Sequence, residues 1–567
     1  MINVSPRAAV FAMVAATAAL YFFGLGSFPL TDRDEGEYAA TVSAMRHSGD
    51  PIIPRLNGRP YLEKPILIFW SVAGGQMLTG SAEFGARLPS ALSAALLALT
   101  VGLLVRRTVG DHALALLCAA AVAFMPLSAL LGRLCLTDML LSLFTTLALG
   151  AFFLASEQRP PQGRSWYLAG WAALGLAFLT KGPVALAVVL PTAFLYALGE
   201  RRFWPILKSA QIPWGVLIFV AISGPWYAMA FVRMGREFWE GFFVAQNVER
   251  FTEVLLGHGG GFLYYAPVLL VGGFPFVAAA LPELAAALFR NGPALRRADP
   301  LARLRRLAAL AVVITLLAFS LAATKQVNYI LPAVPFVAIL AGCFLWRASR
   351  NEQSGRIARA VFFAVQTVTG GILTIALAAV PWVLPRFWPA ILAAIRPDSS
   401  EYALPAQPPS FIFWPLLAAF AAAISALAPA LSRLHPQRRV LATTLGAAAF
   451  SASLALGLVP AVVAWLQNPS KQMAMDVRRY APPESQVVSY GLWKPTLMYY
   501  LDREVPRFRV ADTNDLAAAL RAARPVVVVT RLALTNELGA VPEFLALRRY
   551  EGYLLGANAA AAQAWRR

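Results

Sequence analysis

The chain has 567 residues, 59% of them hydrophobic and only 14% charged, with a formal net charge of +20 and a mean hydropathy of +0.61. A soluble domain is nearer a quarter charged, so the composition excludes an ordinary globular protein and leaves a polytopic membrane protein with room for one small soluble part. The positive charge does not mark a nucleic-acid binder, because Lys and Arg fall in short clusters between apolar runs rather than in one tract.

Met1 to Leu30 carries Arg7 and then an apolar run from Ala8 to Leu25. The run is long and lacks a small-residue cleavage pattern, so it reads as an uncleaved first span. Thr31 to Lys64 follows as a dense polar stretch with Asp32, Asp34, Glu35, Glu37, Asp50 and Glu63 beside Arg33, Arg46, Arg55, Arg59 and Lys64. Between spans, such polarity lies at an aqueous face or lines a cavity, and it is a site by default. Residues 29–82 therefore read as the first, catalytic loop. Within it, Glu35–His47 reads as a short helix stopped at Gly49–Asp50–Pro51, and 66–79 as an apolar helix lying along the interface.

Runs of spanning length occur at 8–28, 83–105, 112–131, 138–155, 166–180, 182–199, 212–232, 262–289, 304–322, 328–346, 357–384, 410–431 and 438–466, about thirteen in all. Alternate loops carry Arg106/Arg107, Arg159/Arg164, Arg201/Arg202/Lys208, the Arg290–Arg306 cluster, Arg347–Arg359 and Arg433–Arg439. Those loops share a side with Arg7 and are assigned to the cytoplasm. The opposite set, including 29–82, 233–261 and 385–409, is then extracytoplasmic, and an odd number of spans puts the C-terminus there too. After Gln467 the chain becomes more polar. Ser485–Tyr490 and Pro525–Thr530 read as strands, Asp515–Ala523 as a helix, and a further helix starts near Lys494. Residues 396–409 read as an exposed loop. The expected architecture is an all-α polytopic membrane domain over 1–467, with juxtamembrane helices, followed by a small α/β extracytoplasmic domain over 468–567. Cys118, Cys135 and Cys343 are too scattered for a disulfide framework or a zinc site and read as buried small hydrophobes.

Further polar sites sit at outer span ends: Arg133 with Thr137–Asp138, Thr180–Lys181, Glu249–Arg250 with His258, and Thr324–Lys325 with Asn328–Tyr329. All map to the face that bears the first loop. Each alone is an ordinary interfacial anchor; together they describe a cavity at the membrane boundary suited to an anionic headgroup. Tyr38, Tyr61 and Tyr329 read at this point as interfacial anchors. Glu35 and Glu37 read as a solvated acidic first turn. Thr137–Asp138 reads on its own as a span cap. A zinc shared by Glu63 and His258 has only two visible ligands, and an unmetallated histidine is the simpler reading.

The stretches DRDEGEYA, PRLNGRPYLEKP, ARLPSAL, LTDMLL, FLTKGP, GPWYAM, NVERF and KQVNYILPAVPF resemble the polyprenyl-phosphate-sugar glycosyltransferases of the class C fold, related to the protein O-mannosyltransferases, and most of all the lipid A 4-amino-4-deoxy-L-arabinose transferases. The resemblance covers roughly the first 350 residues. It implies an inverting, metal-independent enzyme with no required cofactor, which moves the aminoarabinose from undecaprenyl phosphate to lipid A phosphate. The place would be the periplasmic face of a bacterial inner membrane, and the effect a less anionic surface that resists polymyxin. It places an essential acid at Asp34 and a second near Asp138. Cations that hold the departing phosphate are then needed more than a strong general acid, and Lys64 and Arg250 fit, with Arg59 and Lys181 behind them and Glu63 as their neighbour. Tyr38, Tyr61, Lys325 and Tyr329 complete the substrate-binding set. The family often has a histidine before ERF, where this chain has Asn247. Two alternatives stay open: a related transferase using another sugar or a protein hydroxyl, for which Asp34 would act as base, and a lipid flippase, against which the one-sided clustering of polar span ends argues.

Overall fold

The protein, seen in a computed structural model, is described for residues 5–158, 162–254, 257–290, 299–352, 355–394 and 403–565. Its membrane domain is all-helical, and among the described residues eight helices are long and apolar enough to cross a bilayer. They include Ala82–Val109, Thr137–Glu157, Ile212–Met234, Pro300–Leu321 and the 39-residue Arg356–Ala394. Other expected spans are shorter or broken. The run 112–131 is divided at Met125–Pro126 into His112–Phe124 and Pro126–Leu131, and 262–289 breaks between Tyr265–Gly272 and Phe276–Ala285. Proline, which lacks the amide that would continue the helix, sits at both breaks.

Helix ends follow side-chain chemistry. Ser5, Asp111 and Asp299 accept from free amides of the first turns they precede, and each caps a helix that begins with or near proline or an apolar run. Most of the membrane core is one cluster running from Leu20 to Ala455, with a smaller one around Phe274, Ala418 and Phe450. On the side that bears the basic loops, carboxylates hold arginines: the buried Glu283 pairs with Arg305 and Arg347, and the half-buried Glu157 with Arg303. The three cysteines are free and buried.

The first loop forms the expected helix, Asp34–Ser48, then a two-stranded hairpin of β1 (Arg55–Leu56) and β2 (Arg59–Pro60), then the short helix Leu67–Thr79. That last helix lies tightly on Ala82–Val109: a Cβ on Gly75 would stand 2.2 Å from the Gly85 carbonyl oxygen.

The C-terminal domain is a five-stranded sheet in the order β4-β3-β5-β7-β6, with β3 Gln486–Tyr490, β4 Arg507–Phe508, β5 Val526–Arg531, β6 Leu545–Tyr550 and β7 Tyr553–Ala557. β3 is parallel to β4 and β5, whereas β7 is antiparallel to β5 and β6. β5 is buried throughout, as its run of valines requires of a central strand. The helices Pro495–Leu501 and Thr513–Leu520 fall where the sequence indicates. The boundary drawn at 467/468 lies inside a helix, Val459–Tyr480, that leaves the bundle and enters the domain without a break. The loop at 396–409 lies partly outside the described residues.

This domain sits on the first loop. One hydrophobic cluster joins Tyr38, Ala39, Phe69 and Trp226 to Leu497, Val527 and Tyr553. Gly36 meets the backbone of Thr496 so closely that a Cβ would come within 2.8 Å of its amide nitrogen. Asn57 exchanges two hydrogen bonds with Val505, at 2.8 and 3.0 Å, and the Tyr500 hydroxyl accepts from the Leu30 amide at 2.8 Å.

Candidate active site

Asp34 opens its helix at a sharp corner. Arg33, just before it, has φ +66° and ψ −130°, a conformation that L residues rarely adopt. The corner is fixed from both sides. On one side the Asp32 carboxylate takes bonds from the Lys494 ammonium and the Thr496 hydroxyl of the C-terminal domain, with side chains only 4% and 1% exposed for Asp32 and Lys494. On the other, Glu35 is gripped by Arg87, whose Nε and Nη2 donate to its two oxygens at 2.8 and 2.9 Å. Arg87 is fully buried, stacks on Phe28, and spends its remaining donors on the carbonyls of Leu25, Phe28 and Pro29. Burial alone would raise the Glu35 pKa. The charge of Arg87 and amide bonds from Thr31 and Cys135 outweigh it and hold the group below the ordinary carboxylate value. Asp34 itself is only partly buried, accepts a bond from the Tyr38 hydroxyl at 3.3 Å, and has no ion pair among the described residues.

Beside this corner lies a cavity of about 780 Å³. Its wall carries Lys64, Lys181 and Arg250 against one carboxylate, Glu63, together with Gln246 and Tyr329. Glu63 Oε2 is 3.7 Å from both Lys64 Nζ and Arg250 Nη2. Arg250 Nη1 donates to the Tyr329 hydroxyl at 3.0 Å, and Lys181 Nζ stands 4.5 Å over the Tyr329 ring. Lys181 also donates to Asp138 at 2.6 Å, whose other oxygen accepts from Asn328 at 2.7 Å. Asp138 is thus a buried anchor for Lys181 at the start of its own helix. Among the described residues Arg250 Nε and Gln246 Oε1 are buried without a hydrogen-bond partner, on two side chains that line the cavity. The segment that carries Gln246, Trp239–Glu249, is wound wider than an α-helix, a form common at functional sites, and Arg250 follows at its end.

Five sequence-derived candidates therefore meet at one place: Glu63, Lys64, Lys181, Arg250 and Tyr329 line the cavity. Tyr38 and Tyr61 do not line it. They are buried with Phe69 in an edge-on cluster and hold carboxylates, Tyr38 on Asp34 and Tyr61 on Glu37 at 2.7 Å. Arg59 is exposed on the hairpin. The Lys325 ammonium donates to the carbonyls of Ser320 and Ala322, where the helix Pro300–Leu321 runs out of amide partners for its last oxygens. His258 is exposed, and among the described residues no group of three His, Cys, Asp or Glu could hold a metal, so no third ligand joins it and Glu63.

Reading Glu35 and Glu37 as a solvated turn is corrected: both are buried. Burial, with the charges of Glu63 and Asp34, pushes Glu37 up to about 7 in spite of the Tyr61 bond and Lys64. Gln246 and Lys494 escaped sequence reasoning as site-related residues. An uncharged side chain on a wide helical turn and a lone lysine 460 residues downstream carry no local signal.

These features define a polytopic membrane protein with a cation-lined cavity beneath a pinned acidic loop. The family pattern described as dolichyl-phosphate-mannose-protein mannosyltransferase matches residues 8–238. Relatives named undecaprenyl phosphate-alpha-4-amino-4-deoxy-L-arabinose arabinosyl transferase include that of Pectobacterium carotovorum, 33% identical over 330 residues (58% of this chain, 57% of the relative). That of Pectobacterium atrosepticum is 31% identical over 381 residues, 66% of each. The chain thus spans less than two thirds of the length of the curated relatives it matches. The crystal structure of ArnT from Cupriavidus metallidurans bound to undecaprenyl phosphate superposes with a TM-score of 0.77 over 98% of both chains at 23% identity, which shows a shared fold. The chain is thus similar in sequence to these membrane glycosyltransferases over part of its length and shares the fold of the Cupriavidus protein.

Proposed function

We propose that this protein transfers 4-amino-4-deoxy-L-arabinose from undecaprenyl phosphate to phosphate groups of lipid A, at the periplasmic face of a bacterial inner membrane, as an inverting lipid-to-lipid glycosyltransferase. The observation that carries the reading is the convergence of Lys64, Lys181 and Arg250 on one cavity beside Asp34. Relatives across several bacteria bear the corresponding name.

In the reaction the bond between the sugar's anomeric carbon and the donor phosphate breaks as an oxygen of the acceptor phosphate attacks from the opposite face. The electron pair leaves with undecaprenyl phosphate. Lys64 and Arg250 hold the charge that grows on the departing phosphate, and Lys181 adds to the field from behind Tyr329. A phosphate monoester, with a second pKa of about 6, is mostly ionised at neutral pH and hardly needs a base. Asp34 then serves to orient the attacking group or to contact the sugar's amine. Lys181 and Arg250 stand at helix ends and Lys64 in the first loop, so both lipids keep their tails in the bilayer while their heads meet. Adding an amino sugar lowers the negative surface charge and weakens attraction for cationic peptides such as polymyxin.

The topology that fits this reading has thirteen crossings. The eight long helices are joined by Pro6–Phe22, Arg164–Lys181, Val184–Gly199 and the two broken runs that start at His112 and Phe262. Residues 1–467 form the membrane part and 468–567 the periplasmic domain, with the last membrane helix shared between them. The family pattern favours one second reading, transfer of a sugar to a protein hydroxyl, in which Asp34 would be the general base. Purified protein reconstituted with undecaprenyl-phosphoryl aminoarabinose and lipid A should add aminopentose residues to lipid A by mass spectrometry. A folded protein that leaves lipid A unchanged refutes the proposal.

A further inference from the structure

Asp34, beside the cavity rather than on its wall, lies between two buried ion pairs, one made to the membrane bundle and one to the C-terminal domain. Glu35, immediately after Asp34, is tied to Arg87 of the membrane bundle. Asp32, two residues before Asp34, is tied to Lys494 at the entrance of the C-terminal helix Pro495–Leu501, and Thr496 on the same helix adds its hydroxyl. Lys494 is held in turn by Gln467 Oε1 at 3.1 Å, on the helix that joins the two domains, and lies 5.3 Å from the Tyr553 ring centre of the sheet. Between the two anchors the chain takes the left-handed corner at Arg33.

A strained corner of this kind persists only when its surroundings over-determine it. One of the two sets of restraints comes wholly from the C-terminal domain. We propose that Lys494 is a positioning residue, through which the C-terminal domain fixes the corner at Arg33 and thereby the direction of the Asp34 carboxylate. The inference rests on the transferase reading of the site, but its geometric part stands without it. The domain's surface then need not touch either substrate to matter: its contribution is made through Asp32. The rest of the contact supports the same role. Gly36 is pressed against Thr496, and Ser43 donates to Asp502, so the first turns of the Asp34–Ser48 helix lie along the domain for their whole length.

Three variants test this: Lys494→Met, Lys494→Arg and Thr496→Val. A misplacement of the reacting group by about 1 Å costs on the order of 100-fold in rate. Lys494→Met should therefore lower kcat by about that factor, while KM for the lipid-linked sugar and binding of undecaprenyl phosphate stay within about twofold. Lys494→Arg should recover most of the loss, and Thr496→Val, which keeps the ion pair, should lose about 10-fold or less. Hydrogen–deuterium exchange supplies a readout free of activity: residues 31–37 should exchange faster in Lys494→Met, with the membrane helices unchanged. The proposal is overturned if exchange at 31–37 stays at the wild-type rate. It is equally overturned if both Lys494→Met and Thr496→Val loosen the whole membrane domain and lose undecaprenyl phosphate, which is the mark of a general stabilising role. If wild-type protein adds no sugar to lipid A, the transferase reading fails alone, and the exchange comparison still decides whether Lys494 holds the corner.

Discussion

Glu37→Gln offers a measurement in which sign and size both follow from the structure. Glu37 is 9% exposed, accepts a bond from Tyr61 at 2.7 Å, and sits near the carboxylates of Glu63 and Asp34. Burial first, and those charges second, lift it from 4.5 to about 7. In the folded protein it therefore keeps its proton between about pH 4.5 and 7, whereas in the unfolded chain it has already lost it. Stability from this group is full at the acidic end of that window and falls as the pH rises through it. The total is ~3.5 kcal/mol as an upper figure. Glutamine fills the same space, can still accept from Tyr61, and cannot ionise. The assay is unfolding of wild type and Glu37→Gln in one detergent at about pH 5, 6, 7 and 8, plotted as the difference between them, so that every other titrating group cancels. The difference should move in favour of Glu37→Gln by up to ~3 kcal/mol between the two ends. A difference that is flat with pH, or that moves in favour of wild type, refutes the account of Glu37 as a buried acid. Tyr61→Phe should shift the wild-type inflection to higher pH, since the tyrosine bond favours the ionised form.

Four other outcomes are expected. Asp34→Asn should abolish sugar transfer while expression and binding of undecaprenyl phosphate are kept; full activity would remove Asp34 from the chemistry. Arg250→Met should weaken binding of undecaprenyl phosphate by about 10- to 100-fold, the worth of a charged hydrogen bond, measured by titration in detergent. Lys181→Met alone leaves Asp138 buried with only Asn328, so it should cost ~3–5 kcal/mol in denaturation, and adding Asp138→Asn should recover much of that. Lys325→Met should lower stability and leave KM for the donor within about twofold, because its ammonium serves two backbone carbonyls.

Much of the architecture was legible because a bilayer leaves few choices. Length of apolar run, alternation of basic loops and the change in composition near Gln467 are each one-dimensional signals. The helix at Asp34 and the strands at Gln486 and Val526 lie within a residue or two of where propensity and turn chemistry put them. The convergence of Lys64, Lys181 and Arg250 was also accessible, since Lys64 belongs to the first loop and the other two map to the same face. What escaped was direction. Lys325 and Lys181 look alike as lysines after a threonine, yet one turns back to cap its helix and the other points at Tyr329. Glu37 looks like a solvated acid because the groups that surround it, Tyr61, Glu63 and Lys64, come from beyond the hairpin, further along the chain. Pairing across hundreds of residues, as with Asp32 and Lys494, leaves no trace in local pattern.

That pairing bears on how the molecule is made. Asp32 and Lys494 are 462 positions apart, and ribosomes add about 5–20 residues per second. For some tens of seconds, then, the opening loop is already outside the membrane while the lysine that neutralises its first aspartate has yet to be synthesised. The loop must wait, solvated and unfinished, until the last hundred residues arrive. Assembly therefore closes at the opening loop, and a chain without the C-terminal domain would lack a completed entrance to its own chemistry.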